Sequence, residues 1–180
     1  MITEAAHHFG SSTIVVSIEA SKKRDGSYEA YTDNGRERTG VDTLKWAVRA
    51  AQLGAGELMI TAIDREGTGE GFDLELTRQI AESVSIPVIA CGGAGSTEHV
   101  LDVITRGKAD AVSIASILHY QCYERFPYDD QDFSREGNIE FRRRGIGFSK
   151  IHGVTLRELK GQLLDHGIPC RPLMSADTYV

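Results

Sequence analysis

Four short stretches of this chain hold residue types that could do chemistry. They are Glu19, the run Asp64-Arg65-Glu66-Gly67-Thr68-Gly69-Glu70-Gly71, the run Cys91-Gly92-Gly93-Ala94-Gly95, and the pair Ala115-Ser116. A carboxylate such as Glu19 can take or give a proton when its surroundings tune it. Glycines directly after a strand and before a helix let backbone N–H groups converge on an anion, and the helix N-terminus adds its positive end. Gly92, Gly93 and Gly95 therefore read as a phosphate cradle, to which Gly67 and Ser116 could add N–H groups or a hydroxyl. Taken singly, such glycines only make tight turns at positive φ. Three adjacent stations in one sheet favour phosphate. Cys91 beside a helix N-terminus could be a nucleophile, but no base is marked near it in the sequence and it reads as a small packing residue. Lys22, Lys23 and Arg24 read as solvated charges sooner than as ligand contacts.

The elements that must position these residues follow from periodicity. Apolar, β-branched runs at 13–18, 57–63, 86–90 and 110–117 are nearly continuous in hydrophobicity, as expected of parallel strands buried on both faces. Between them lie helical patterns. Leu44, Ala47, Val48 and Ala51 repeat at helical spacing before Gly54, and Leu76, Ile80 and Val84 do so before Pro87. A third helix starts at Ser96 or Thr97 and runs through Val100, Val103 and Ile104 to Gly107, and a fourth opens on the Thr155/Glu158 capping box and ends at Gly167. Gly54-Ala55-Gly56-Glu57 and Gly107-Lys108-Ala109-Asp110 both lead from helix to strand, so the unit repeats. Ligands in such α/β folds sit at the carboxyl ends of the strands, where all four stations fall. Asp25-Gly26 and Asn34-Gly35 bracket residues 27–32 and predict a small hairpin lying over the strand ends.

Composition narrows the function classes. A chain of 180 residues is ample for one domain and buries roughly 70% of its unfolded surface. The reading is a single domain over 1–180 with a long insertion at about 121–151, which contains the basic triplet Arg142, Arg143 and Arg144. A net charge of −6 disfavours nucleic acid. The absence of a long apolar run and of a signal-peptide pattern predicts neither membrane association nor secretion, hence a cytoplasmic location. Cys91, Cys122 and Cys170 are odd in number and widely spaced, so they read as free thiols; no metal and no cofactor are expected.

The stretches Phe9-Gly10-Ser11-Ser12, Thr32-Asp33-Asn34-Gly35, Asp64-Arg65-Glu66-Gly67-Thr68, Gly71-Phe72-Asp73-Leu74-Glu75-Leu76, Ile86-Pro87-Val88-Ile89-Ala90 and Gly92-Gly93-Ala94-Gly95 resemble the cyclase subunit of imidazole glycerol phosphate synthase. The likeness runs from residue 1 to about 120 and resumes over about 152–171, in family order. It implies an α/β fold, a (βα)4 half of a TIM (β/α)8 barrel whose four parallel strands are the fifth to eighth, with outer helices. It also implies a reaction in which ammonia from a glutaminase partner closes an imidazole ring on a bis-phosphorylated, nucleotide-derived substrate, as a step of histidine biosynthesis. Two aspartates, one in each half barrel, are the family's acid and base. Glu19 fills the place of the second.

By the same resemblance, Thr61, Asp64, Glu66, Gly67, Thr68, Gly92, Gly93, Gly95, Ala115 and Ser116 bind the substrate, one phosphate lying at Gly67, Gly93, Gly95, Ala115 and Ser116. Glu57 matches a carboxylate near the ammonia entrance, though a lone charge at a strand start also reads as a salt-bridge partner. His119 and Tyr120 follow the family pattern in a supporting role. The chain departs from the family in Glu19 for Asp, Glu66 for Asp and Cys91 for Ser. The longer Glu19 side chain moves its charge by more than about 1 Å, a misplacement that can cost roughly 10²-fold in rate. The other four strands and the first aspartate are not in this sequence, so little turnover is expected from it alone. The alternatives are a non-catalytic phosphate-binding half barrel, a related amidotransfer synthase, or a sugar-phosphate isomerase of the same barrel. With the 13–18 and 110–117 edges and the inner face open, the expected partners are a second copy or a complementary N-terminal half barrel. Aromatic residues of the insertion, from Tyr123 to Phe148, are the rival cover.

Overall fold

The computed structural model describes residues 1–125 and 150–171. Four parallel strands carry the expected pattern: β1 (Val15–Lys22), β4 (Glu57–Ala62), β5 (Val88–Cys91) and β6 (Ala111–Ser113). Between β1 and β4 come β2 (Tyr28–Thr32) and β3 (Glu37–Asp42), giving one six-stranded sheet in the order β3-β2-β1-β4-β5-β6. The helices are α1 (Ile2–Phe9), α2 (Thr43–Gln52), α3 (Leu74–Ala81), α4 (Thr97–Thr105), α5 (Ser116–Arg125) and α6 (Leu156–Asp165). The whole is a half-barrel-like α/β sheet.

Three expectations need correcting: the seat of the hairpin, the length of the last strand and the burial of the second face. The hairpin does not lie over the strand ends. It extends the sheet, β2 running antiparallel to the far half of β1 with Glu19 opposite Tyr31 and Lys22 opposite Tyr28. The edge of β1 is therefore covered at Glu19–Lys22, while among the described residues Val15–Ile18 pair with β4 alone. The hairpin turn passes through Asp33, Asn34 and Gly35 at φ of 52°, 54° and 76°, a left-handed run that short polar residues and glycine tolerate best. The last strand is also shorter than its apolar run: Ala115's carbonyl accepts the amides of Leu118 and His119, so Ser116 and Ile117 belong to α5. The aromatic insertion falls outside the described residues, apart from its two ends.

The helix starts were written locally. Asp42 accepts the Lys45 amide at 2.9 Å and Asp73 the Leu76 amide at 3.0 Å, while Thr155 and Glu158 form both halves of the capping box. The N-terminal helix α1 was not anticipated. It seats near the strand starts, where a Cβ on Gly54 would lie 2.8 Å from the Ala6 methyl.

Alternation along the strands separates two faces. Ile18, Ala20, Leu58, Ile60, Ala62, Val88 and Ala90 are buried against the helices, packing with Ala47, Ala50, Leu76 and Ile80 and, farther along, with Phe72, Val100, Val103, Leu159 and Leu163. Each buried leucine or isoleucine contributes on the order of 1.5–3 kcal/mol. The opposite face is not buried as the continuous apolar runs predict: Val15 is 50% exposed, Ser17 and Ala111 are exposed, and Met59 and Ile89 are half-buried.

Candidate functional site

Strand register builds the site. Glu19 pairs with Thr61, Thr61 with Cys91 and Cys91 with Ser113, and registered neighbours point to the same face of a sheet. A carboxylate, two hydroxyls and a thiol thus form one row across the carboxyl ends of the parallel strands, with neighbours about 4.8 Å apart. The next row toward the strand starts is Ser17, Met59, Ile89 and Ala111. Glu57 lies at the far end of this face, opposite Val15. The face is thus most polar at the mouth. Thr61 is buried, and Glu19, Cys91 and Ser113 are half-buried, so each is partly shielded yet within reach of a ligand. Ser113 and Tyr31, which extend this row, escaped the motif reading; counting alternate residues back from each strand end would have found Ser113.

The loop after β4 is only partly free. Asp64 accepts the Ser21 hydroxyl at 3.0 and 3.1 Å and the Lys22 amide at 2.8 Å, tying the end of β1 to the end of β4. Thr68 donates its hydroxyl to the Arg65 carbonyl at 2.7 Å and accepts the Glu70 amide at 3.2 Å. Glu66 and Gly67 are exposed, and Gly67 has open space around it at φ 73°.

The glycines after β5 make a close backbone junction. Gly93's carbonyl accepts the Gly71 amide at 2.8 Å. A Cβ on Gly93 would sit 2.3 Å from the Gly71 carbonyl oxygen, one on Gly95 would sit 2.1 Å from that of Gly69, and one on Gly92 would sit 2.9 Å from that of Ala62. Gly95 uses both its backbone groups: its amide donates to His99 Nδ1 at 3.1 Å and its carbonyl accepts the His152 amide at 2.7 Å. The Val154 amide in turn donates to the Ile117 carbonyl at 3.1 Å. Segment 150–154 therefore links the start of α4 to that of α5, where Ala115 is exposed and Ser116 half-buried. At the first turn of α4, the Ser96 hydroxyl and Glu98's own amide hold the Glu98 carboxyl below its usual range. Gly67, Gly93, Gly95 and Ser116 are thus brought to one end of the sheet, with the exposed Glu98 carboxylate and the His99 imidazole beside them. His99 was not anticipated.

The hairpin contributes a charged rim. Lys22, Lys23 and Arg24 line a cleft whose other wall is Asp64, Arg65, Glu70 and Glu75. Lys22 pairs with Glu75 at 2.6 Å and lies 5.4 Å over the Tyr28 ring. Tyr28 donates to Asp73 at 2.9 Å, and burial together with that carboxylate pushes its phenol up to about 12. Glu75 is held below the ordinary carboxylate range by Lys22, as Glu70 is by Lys150. These charges are largely matched to each other, in keeping with the solvated reading of Lys22, Lys23 and Arg24. Cys91, Cys122 and Cys170 are free thiols. No helix among the described residues is long and apolar enough to cross a membrane.

Comparison with known proteins gives the family. The family model described as histidine biosynthesis protein matches residues 1–124. The imidazole glycerol phosphate synthase subunit HisF of Alkaliphilus metalliredigens (strain QYMF) is 49% identical over 120 residues, 67% of this chain and 48% of that protein. The subunit of the same name from Lachnoclostridium phytofermentans is 52% identical over 122 residues, 67% of this chain and 47% of that protein. The chain spans about half the length of the curated relatives it matches. It belongs to the histidine biosynthesis protein family.

Proposed function

We propose that this member of the histidine biosynthesis protein family is the half of a cyclase barrel that binds one phosphate of a phosphorylated, nucleotide-derived substrate and supplies one acid/base carboxylate. The observation that carries the reading is the mouth row: Glu19 stands in register with Thr61, Cys91 and Ser113 at the same sheet end where the loops of Gly67, Gly93, Gly95 and Ser116 meet. The phosphate is held by the exposed loop at Gly67, by the junction at Gly93 and Gly95 and by the start of α5 at Ser116, with Asp64, Glu66, Thr68 and Gly92 around it. Glu19 exchanges protons with the reacting ring. Its counterpart is the aspartate of a complementary N-terminal half barrel, and ammonia comes from a glutaminase subunit.

The test combines the chain with the first four βα units of a curated HisF and follows ammonia-dependent imidazole ring closure. Turnover should appear on mixing, be absent from either part alone, and fall by roughly 10²-fold or more in Glu19→Gln, the usual scale of an acid–base group. Turnover unaffected by Glu19→Gln would remove the carboxylate from the mechanism. The extra methylene of Glu19 favours a second reading, a half barrel that binds phosphate without turnover. Anion binding with no turnover in any combination would support it.

By itself, the chain is proposed to pair through its open face with a second copy, an obligate contact on the order of 2,000 Å² or more. Light scattering at micromolar concentration should then give about twice 19.7 kDa. A mass near 19.7 kDa would exclude the dimer.

A further inference from the structure

We propose that His99 is a proton-operated latch on the anion site at the end of β5: neutral, it ties up the Gly95 amide; protonated, it releases that amide and adds a positive charge beside it, so anions bind more tightly as pH falls. The inference rests on reading the Gly93–Gly95 junction as an anion site and adds how that site is regulated.

A backbone amide is a donor only, and that of Gly95 lies 3.1 Å from His99 Nδ1. Nδ1 must therefore carry the lone pair and Nε2 the ring proton. An imidazolium bears N–H on both nitrogens and cannot accept, so charging His99 sets two donors against each other. The surroundings decide which group yields. The ring is seated on the loop after β4, its Cδ2, Cγ and Nε2 lying 3.2–3.4 Å from where a Gly71 Cβ would be. Gly95 is fixed on its other side, its carbonyl held by the His152 amide at 2.7 Å. What remains is the Gly95 N–H, left without an acceptor at a buried position, and an anionic oxygen supplies one.

The charged groups about the ring come from three elements. Glu98 on α4, held below its ordinary range first by the Ser96 hydroxyl, also feels the charges of His99 and His152. His152 lies in the segment that crosses Gly95. Glu70, paired with Lys150 and with Arg65 at 3.7 Å, belongs to the loop that carries Gly71. Among these, His99 alone accepts a hydrogen bond from the glycine junction, so its protonation is what changes the number of donors there.

The experiment uses sulfate, whose charge does not change between pH 5.5 and 8, and reads amide shifts of the full chain. The wild type should bind sulfate about tenfold more tightly at pH 5.5 than at pH 8, the scale of one added donor and one added charge. The Gly95 amide should move with the His99 ring titration. His99→Gln keeps an acceptor without a titrating proton and should flatten both dependences. The same pH dependence in His99→Gln, or a flat wild type that still binds, overturns the latch while leaving the anion site standing. No sulfate shift at any pH overturns both. Should His99→Gln fail to fold, the wild-type imidazole nitrogen shifts decide: a proton on Nδ1 of neutral His99 contradicts the proposal.

Discussion

The two faces of the parallel strands are built from alternate residues of the same few segments, yet they obey different constraints. On one, Ile18, Leu58, Ile60 and Val88 are at most 2% exposed under the helices, and shape complementarity sets what fits. On the other, Val15, Ser17, Met59 and Ile89 line a face that no layer of described residues closes, and it is most polar at the mouth, at Glu19, Thr61, Cys91 and Ser113. The helix-packed face specifies the fold. The other is the face proposed to meet a ligand at the mouth and another surface below it.

Truncating neighbours on opposite faces separates the two constraints. Leu58→Ala should cost about 2–5 kcal/mol in urea unfolding. Met59→Ala should cost less than about 1 kcal/mol at concentrations where the chain is monomeric, and more where it is paired. A Met59→Ala cost equal to that of Leu58→Ala at every concentration would mean that the second face is already closed within one chain.

The next effect lies at the mouth. Gly95→Ala would place its methyl 2.1 Å from the Gly69 carbonyl oxygen and 2.6 Å from that of Lys150. Two backbone loops must separate to admit it, at a cost of about 2–3 kcal/mol. Gly67→Ala meets no neighbour but must adopt φ 73°, and should cost about 1 kcal/mol. A loss at Gly95 no larger than that at Gly67 would show that the two loops separate freely and do not demand glycine there. A smaller change is expected at the start of α2. Thr43 is fully buried, and among the described residues its hydroxyl has no hydrogen-bond partner. Thr43→Val should stabilise the chain by about 1 kcal/mol; a loss of that size would reveal a partner for the hydroxyl.

Much of this division could be read from the sequence, and the misses share a cause. The four parallel strands, the Asp64–Gly71 and Cys91–Gly95 stations and the Thr155/Glu158 cap are local signals, fixed by periodicity or by spacing within one turn. The seat of the hairpin was not local. Asn34-Gly35 predicts a turn, but that β2 joins the edge of β1 depends on Tyr28 reaching Asp73 and Lys22 reaching Glu75, 45 and 53 residues away. The same holds for His99. Its helix could be read from the sequence, while its bond to Gly95 depends on how the chain folds back before α4. The family resemblance pointed to glycines as phosphate ligands; that Gly93 and Gly95 must also admit the backbone of Gly69 and Gly71 is a contact between loops, invisible in either motif.

The smallest effect concerns the hairpin, which carries onto the open face the one buried carboxylate among the described residues. Glu29 is 5% exposed, accepts Arg38 Nη2 at 2.6 Å and receives the Gly40 amide at 2.9 Å. Arg38, and then the Gly40 amide, hold its carboxyl below the ordinary value of 4.5. An unfolded chain offers neither partner, so the native state binds the Glu29 proton less readily than the unfolded one. The contribution is therefore fully present above about pH 4.5 and is lost as pH falls through the lower native value. Arg38 is 68% exposed, so water screens the pair and the effect on overall stability is slight. The carboxyl itself is the better reporter, because Glu70, Glu75 and Glu82 are lowered by their own lysines and would blur any global acid transition. The side-chain carbon resonance of Glu29 should titrate below the ordinary glutamate range in the intact chain and move up toward it in Arg38→Leu. If Glu29 titrates at the ordinary value while Arg38 is present, β2 and β3 are not joined by the Glu29–Arg38 and Glu29–Gly40 contacts as described.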